Sequence, residues 1–422
     1  MELRPGYKQT GMGVIPEEWK ALHLPDVCWF QEGPGVRTHQ FTVTGVKLLN
    51  GTNIFNGQLR LETTTRHISN DDARGAYKHF LVEDGDILLA TSGVTIDKLH
   101  EKVAFARAEM LPLCMNTSTV RFKALPGKLL DDYLYFFLQS DLFKTQIARQ
   151  ATGSAQLNFG PSHLKKVILP VAMEPGEQLA IAGALRDVDG LIRSLDQLIA
   201  KKRDLKQAAM QQLLTGRTRL PGFSGGWDLK RLVEIGTFSK GKSIRKDEVV
   251  PEGLPCIRYG EIYTHHADYV RAFFSFIPAA VAKQSQRLRK GDLLFAGSGE
   301  TADEIGKCVA FLDDVEAYAG GDIVILSPVG QDSMYLGYLM NHPSVAEQKA
   351  RMGQGDAVVH ISARNLAQLN LRVPLETEQA AIAAVLSDMD AELRALDERL
   401  AKTRALKQGM MQELLTGRTR LV

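Results

Sequence analysis

Two stretches of the chain carry apolar residues at alternating steps of four and three. The first runs through Ile181, Leu185, Val188, Ile192, Leu195 and Ile199; the second runs through Ile382, Leu386, Met389, Leu393, Leu396 and Leu400. A repeat of 3.5 residues is the seam of a coiled coil, so each stretch predicts a long helix. A helix from Glu177 to Thr215 would span ~58 Å at 1.5 Å per residue. Pro175 and Pro374 stand at the start of each stretch, and Gly216 and Gly417 stand where a C-terminal cap is expected. The seams are narrow and regular for helices lying flat on a sheet, which favours pairing of the two helices with each other. The alternative is that each packs on its neighbouring domain. Leu191, Leu198 and Leu205 add a second apolar stripe to the first helix, whereas Glu392 and Arg399 replace the first two in the second helix.

The two helical stretches are copies. Residues 177–220 align with 378–421 without a gap at an offset of 201, with 27 of 44 positions identical and LLTGRTRL repeated letter for letter. Outside them the repeat is weaker. GDILLATSG at 85–93 answers GDLLFAGSG at 291–299, and VAF recurs at Val103 and Val309. Tyr133-Leu134 answers Tyr335-Leu336, and Trp19 answers Trp227. The organisation is therefore a domain, a helix, a diverged second domain and a second helix. The segments are 1–174, 175–220, 221–374 and 375–422. The helices have kept one job; the domains have drifted toward two different ones.

Within the domains the pattern shortens to strands. KLLNGTNI at 47–54 and CIRYGEI at 256–262 read as strands leaving into polar loops. GDILLA and GDLLFA read as buried strands entered by a Gly-Asp turn. VAFA and VAFL follow, then STVRF at 118–122 and DIVIL at 322–326, then an amphipathic helix in each domain. The fold class expected is α+β: two mixed α/β domains separated by two long antiparallel coiled-coil helices, with a pseudo-two-fold internal repeat.

Composition removes whole classes of function. Hydrophobic residues make up 44% and charged residues 24% of the 422, as in an ordinary globular protein. No apolar run is long enough to span a membrane, and the opening MELRPGYKQTGMG has no signal-like core, so a cytoplasmic location is expected. The four cysteines lie far apart, which argues against zinc and disulfides. No P-loop, HExxH or [DNS]PP[YFW] methyltransferase motif occurs. GSGETA at 297–302 lacks the acidic partner of a dinucleotide site and reads as a turn shared with TSGVTI. His265-His266 lacks further ligands at metal spacing and reads as a loop-surface or DNA-facing pair. No catalytic residue, metal or cofactor is expected. Net charge is only +2; residues 1–175 hold 19 basic and 18 acidic side chains, and residues 221–376 hold 17 and 19. Neither domain is a basic clamp. If they read nucleic acid they do so with loops, and something else supplies much of the phosphate affinity. Each helix ends in a basic stretch, with Lys206, Arg217 and Arg219 answered by Lys407, Arg418 and Arg420; this is either a solvated face or a partner contact.

GYKQTGMGVIPEEW at the start, the two GD[IL]L[LF]A strands and the two EQxxIAxxLxDxD helices ending in LKQxxMQxLLTGRTRL resemble the specificity subunit of Type I restriction-modification enzymes. The resemblance covers the whole chain. It implies two target-recognition domains that each read half of a split, asymmetric site in double-stranded DNA. It also implies helices that act as a ruler and dock two methyltransferase subunits acting at adenine N6. Motor-nuclease subunits join through the complex in phage defence, and the chain itself has no catalysis. A subunit of a methylation-only or Type IIB-like system, a self-contained enzyme and a non-DNA coiled-coil adaptor are the competing readings. The DNA-contacting candidates are polar loop residues able to reach base edges. In the first domain they are Arg37, Thr38, Asn53, Arg66, Ser92, Asn116, Gln156, Asn158 and Lys165. In the second they are Lys242, Ser243, Arg245, Arg258, Ser298, His360 and Arg364.

Overall fold

The computed structural model describes residues 4–150, 156–242, 244–355 and 358–421. The chain forms two compact units. One is built from Met1–Asp196 with Glu398–Val422, the other from Gln197–Asp397. Both seams fold as helices of 39 residues, Pro175–Leu213 and Glu376–Leu414. Each unit therefore holds one mixed domain, the first half of one long helix and the second half of the other. This division cuts across the four segments expected from the sequence.

The first unit is organised on an antiparallel sheet ordered Val103–Phe105, Ile87–Ala90, Thr119–Ala124, Cys28–Glu32. The second unit repeats it as Cys308–Ala310, Leu293–Ala296, Ile323–Pro328, Gly236–Lys240. The Gly-Asp entry to the second strand works the same way in both. Gly85 and Gly291 take positive φ values of 82° and 92°, which glycine adopts without a Cβ clash. The following Asp86 and Asp292 accept hydrogen bonds from the backbone N–H of Glu83 and Arg289, each at 2.8 Å. A smaller sheet flanks each central one. In the first unit Leu113–Met115 pairs parallel with Val46–Leu49, and in the second Tyr318–Ala319 pairs parallel with Leu254–Ile257.

The helices are tied into these domains by their ends. Ile181 and Leu185 share one core with Trp19, Leu88, Phe122, Tyr133 and Phe136, and with Met411, Leu414 and Leu415 of the second helix. Ile382 and Leu386 enter the corresponding core with Leu213 and Leu214 of the first helix, and Met389 packs against it. Leu195, Ile199, Leu393 and Leu400 are buried along the middle, while Val188, Ile192 and Leu396 are half-buried.

Ion pairs fix the antiparallel register inside each unit. In the first unit Arg420 forks onto Glu177, Lys407 meets Asp189 at 2.6 Å, and Arg404 meets Asp196 at 3.1 Å. The second unit repeats all three at the offset of 201: Arg219 on Glu378, Lys206 on Asp390 and Arg203 on Asp397. Glu177 and Glu378 are buried, so their bidentate arginines answer charges that water cannot reach. Gly216 and Gly417, at φ 69° and 68°, end this segment; a Cβ on Gly216 would lie 3.2 Å from the Trp227 ring, and one on Gly417 3.4 Å from Trp19. The repeated TGRTRL is thus explained by a left-handed cap packed on a tryptophan, followed by an arginine that returns to the other helix.

Candidate nucleic-acid interface

The loops around one end of each central sheet share several backbone features. FQEGPGVRT at 30–38 aligns in sequence with FSKGKSIRK at 238–246. Glu32 pairs with Val120 and Lys240 with Val324 at the same register position. Gly33 and Gly241 donate to the carbonyls of Thr119 and Ile323. A Cβ on either would collide with backbone, at 2.3 Å from Asn116 O and 1.8 Å from Gly320 O. That close approach is why glycine stands at both positions. Arg37 and Arg245 then open matching 3-10 turns, with Gln40 and Glu248 closing back on their backbone N–H groups.

The next turn is also shared. Asn50 and Arg258 are its N-caps, and Asn53 and Glu261 accept from their N–H groups at 2.9 and 3.2 Å. Further along, Ser92 pairs with Asn158 and Ser298 with His360 across equivalent two-strand ladders. Ser298 Oγ and His360 Nδ1 lie 3.0 Å apart, and Asn158 accepts from the Gly93 N–H at 3.2 Å. In the second unit these residues line two adjoining clefts of about 890 and about 300 Å³. Lys246, Arg258 and His265 line the larger; Ser298, His360 and Ser362 line the smaller; Lys240 and Asp322 line both.

Most candidates from the sequence sit at exposed positions: Arg37, Thr38, Arg66, Ser92, Gln156, Asn158, Lys165, Lys242, Arg245, His360 and Arg364. The Arg66 guanidinium lies 5.0 Å from the Phe41 ring centroid. Asn116 is half-buried and donates to Asn50 Oδ1 at 2.9 Å. Ser298 is buried but lines the smaller cleft. Arg258 is half-exposed and is held by Glu261 at 3.1 Å. Asn53 is placed differently from expectation. It is 4% exposed, its oxygen caps Asn50, and its Nδ2 donates to Arg60 O and Thr64 Oγ1 at 3.1 and 2.9 Å. Its polar atoms hold the loop and are not presented outward. Ser243 lies outside the described residues. The histidine pair divides: His265 is exposed at the larger cleft, and His266 is buried, with desolvation pushing its imidazole below the usual range.

The Type I restriction modification DNA specificity domain matches residues 16–201 and again 224–402. The chain belongs to this family. Over 214 residues, 51% of its length, it is 26% identical to the Type I restriction enzyme MjaVIII specificity subunit of Methanocaldococcus jannaschii. That match spans about half of the relative, 49% of its length. The putative MjaX specificity subunit of the same organism is 21% identical over 98% of this chain and 97% of its own. A Type I restriction-modification S subunit from M. genitalium shares the fold, with a TM-score of 0.58 and 16% identity over 98% of both chains. A chain from a structure addressing complex assembly and conformational transition of the type I R-M system also scores 0.58, at 17% identity over 96% of this chain and 99% of that one.

At some loop positions the two copies share a backbone place and differ in side chain. At three such positions sequence reasoning named only Arg258 and missed Asn50, Gly160, Ser362, Glu32 and Lys240. Asn50 stands where Arg258 stands, Gly160 where Ser362 stands, and Glu32 where Lys240 stands. The signal was present: Phe30, Gly33 and Arg37 recur as Phe238, Gly241 and Arg245 at an offset of 208. Trp19 and Trp227 share that offset, but only three of the nine residues in the loop segment are identical, so the match is weak by sequence alone. No helix among the described residues is long and apolar enough to cross a membrane.

Proposed function

We propose that this chain is the DNA-recognition subunit of a Type I restriction-modification complex. Residues 1–174 and 221–374 are its two target-recognition domains, and each reads one half of a bipartite, asymmetric site. The observation that carries this reading is the pair of matching loop sets: one scaffold of Gly33/Gly241, Arg37/Arg245 and Ser92/Ser298 presents Asn158 in one unit, and Arg258 and His360 in the other. Asparagine favours the N6/N7 edge of adenine and arginine the O6/N7 edge of guanine, so one scaffold can specify two different half-sites.

The long helices set the half-site spacing and dock two methyltransferase subunits, which methylate adenine at N6 and close around the DNA. Leu191, Leu198 and Leu205 remain about 40% exposed or more on the first helix, 41%, 39% and 47% respectively, and supply an apolar face for that docking. Near-neutral domains fit a subunit that specifies sequence while its partners add phosphate contacts. Motor-nuclease subunits join through the complex, which works in the cytoplasm, and this chain performs no catalysis. Co-expression with its methyltransferase subunit, followed by methylome sequencing, tests the reading. One bipartite, asymmetric N6-methyladenine motif is expected, and methylation without a split motif would refute it.

A further inference from the structure

The end of the first strand of each central sheet carries opposite charge in the two units. Glu32 and Lys240 share one register position, each followed by a glycine pressed against the neighbouring loop. That glycine fixes the path of the strand end and so the direction from which each side chain leaves it. Lys240 borders both clefts and stands beside Ser298, His360 and Ser362. Glu32 reaches the equivalent place. Its Oε1 lies 3.3 Å from where a Cβ on Gly160 would be, two residues beyond Asn158. Gly160 occupies the position of Ser362, so the smaller residue leaves room where the carboxylate lies.

Among the described residues Glu32 has neither a hydrogen-bond donor nor a cation as partner, and partial burial pushes its carboxyl above the usual range. A carboxylate there gains nothing from the fold and is repelled by phosphates, so it cannot serve general affinity for DNA. An ionised carboxylate only accepts hydrogen bonds. The donors on the major-groove edges are the exocyclic amines of cytosine N4 and adenine N6, while lysine seeks acceptors such as guanine O6/N7. The second unit also carries Asp322 at its cleft, where the first carries Ser118, so the charge difference between the two positions is partly offset beside them.

Building on the DNA-recognition reading above, we propose that Glu32 and Lys240 are equivalent specificity determinants with inverted preference. Glu32 accepts from a cytosine or adenine amine in the first half-site, and Lys240 donates to a guanine or thymine acceptor in the second. Rejection of the wrong base comes from an unpaired buried charge as much as from the right contact.

The test uses the full chain with its methyltransferase subunits and methylome sequencing of E32Q, E32K and K240E. E32Q, of unchanged shape, should lower methylation at the original site about ten- to hundred-fold and relax one position of the first half-site only. E32K should move that position from C or A toward G or T, and K240E should move one position of the second half-site the opposite way. A parent chain that directs no bipartite methylation would defeat the DNA-recognition reading itself. With the parent motif established, the charge inversion alone fails if E32Q and K240E both keep that motif at parental rates, or if either alters the opposite half-site. Thermal unfolding of each variant separates loss of reading from loss of fold, and E32Q decides the first domain if E32K does not fold.

Discussion

At the scale of single residues, burial decides which polar groups can be presented outward and which support the fold. Asn53 and Asn158 are the same residue type in polar loops, yet Asn53 is spent on its own turn while Asn158 is exposed. A spacing rule sees only an Asn in a polar loop; the distinction depends on burial. Lys349 is another inward case. It is 2% exposed and donates to Gly306 O, at the end of the loop that follows Ser298. Burial pushes its ammonium down to about 8, against ~10.4 in an unfolded chain. Between those values the unfolded chain holds a proton that the folded chain has released, so this contribution to stability rises with pH across that interval. The buried thiols act in the other direction: burial pushes Cys114 and Cys256 up to about 12, so their contribution falls once the unfolded thiol ionises near pH ~8.5. Urea unfolding of the parent and Lys349→Met should isolate the lysine. The stability of the parent relative to the variant should improve by about 3 kcal/mol between pH 7 and pH 10.5; a constant difference would show that Lys349 is not desolvated.

At the scale of elements, the seam and the caps were legible because a 3.5-residue period and a following glycine have few other meanings. The way the helix ends enter the domain cores was not legible, since Ile181 and Leu185 fit a helix-pairing seam and a domain core equally well. The ion pairs that set the register divide by exposure. Asp189 and Lys407 are each 12% exposed at the side chain, and Lys407 also donates to Gln139 Oε1 at 2.7 Å. Asp189→Ala would leave that ammonium buried without its counter-charge and should cost about 3–5 kcal/mol in chemical unfolding. Arg404→Ala breaks a pair that is half in water, at 51% and 47% exposure, and should cost under about 1 kcal/mol. Equal losses would mean that water screens both pairs alike. The repeated register also constrains how the proposed ruler can be lengthened. A heptad inserted after Asp196 alone cannot keep both sets of pairs in step, whereas heptads after Asp196 and Asp397 together can. The matched insertion adds ~10.5 Å of helix and should widen the methylated site by about 3 base pairs, while the single insertion should impair assembly.

At the scale of the whole molecule, the internal repeat means that each unit is completed by a helix half with a near-copy elsewhere in the chain. In residues 1–220 the segment after Asp196 carries Arg203, Lys206, Met210, Leu213, Leu214 and Arg219, the counterparts of Arg404, Lys407, Met411, Leu414, Leu415 and Arg420. A second copy of that fragment can therefore supply what the missing second helix supplies. Light scattering should find a two-fold homodimer, and a monomer at micromolar concentration would show that the copies are not interchangeable.

Two diverged domains that read independent half-sites from one repeated scaffold should each be exchangeable alone. Exchange of residues 1–174 for the matching domain of a relative, with methylome sequencing in the presence of the methyltransferase, tests it most directly. A new first half-site beside an unchanged second half-site and an unchanged spacer is expected. A change in both half-sites, or in neither, would contradict it.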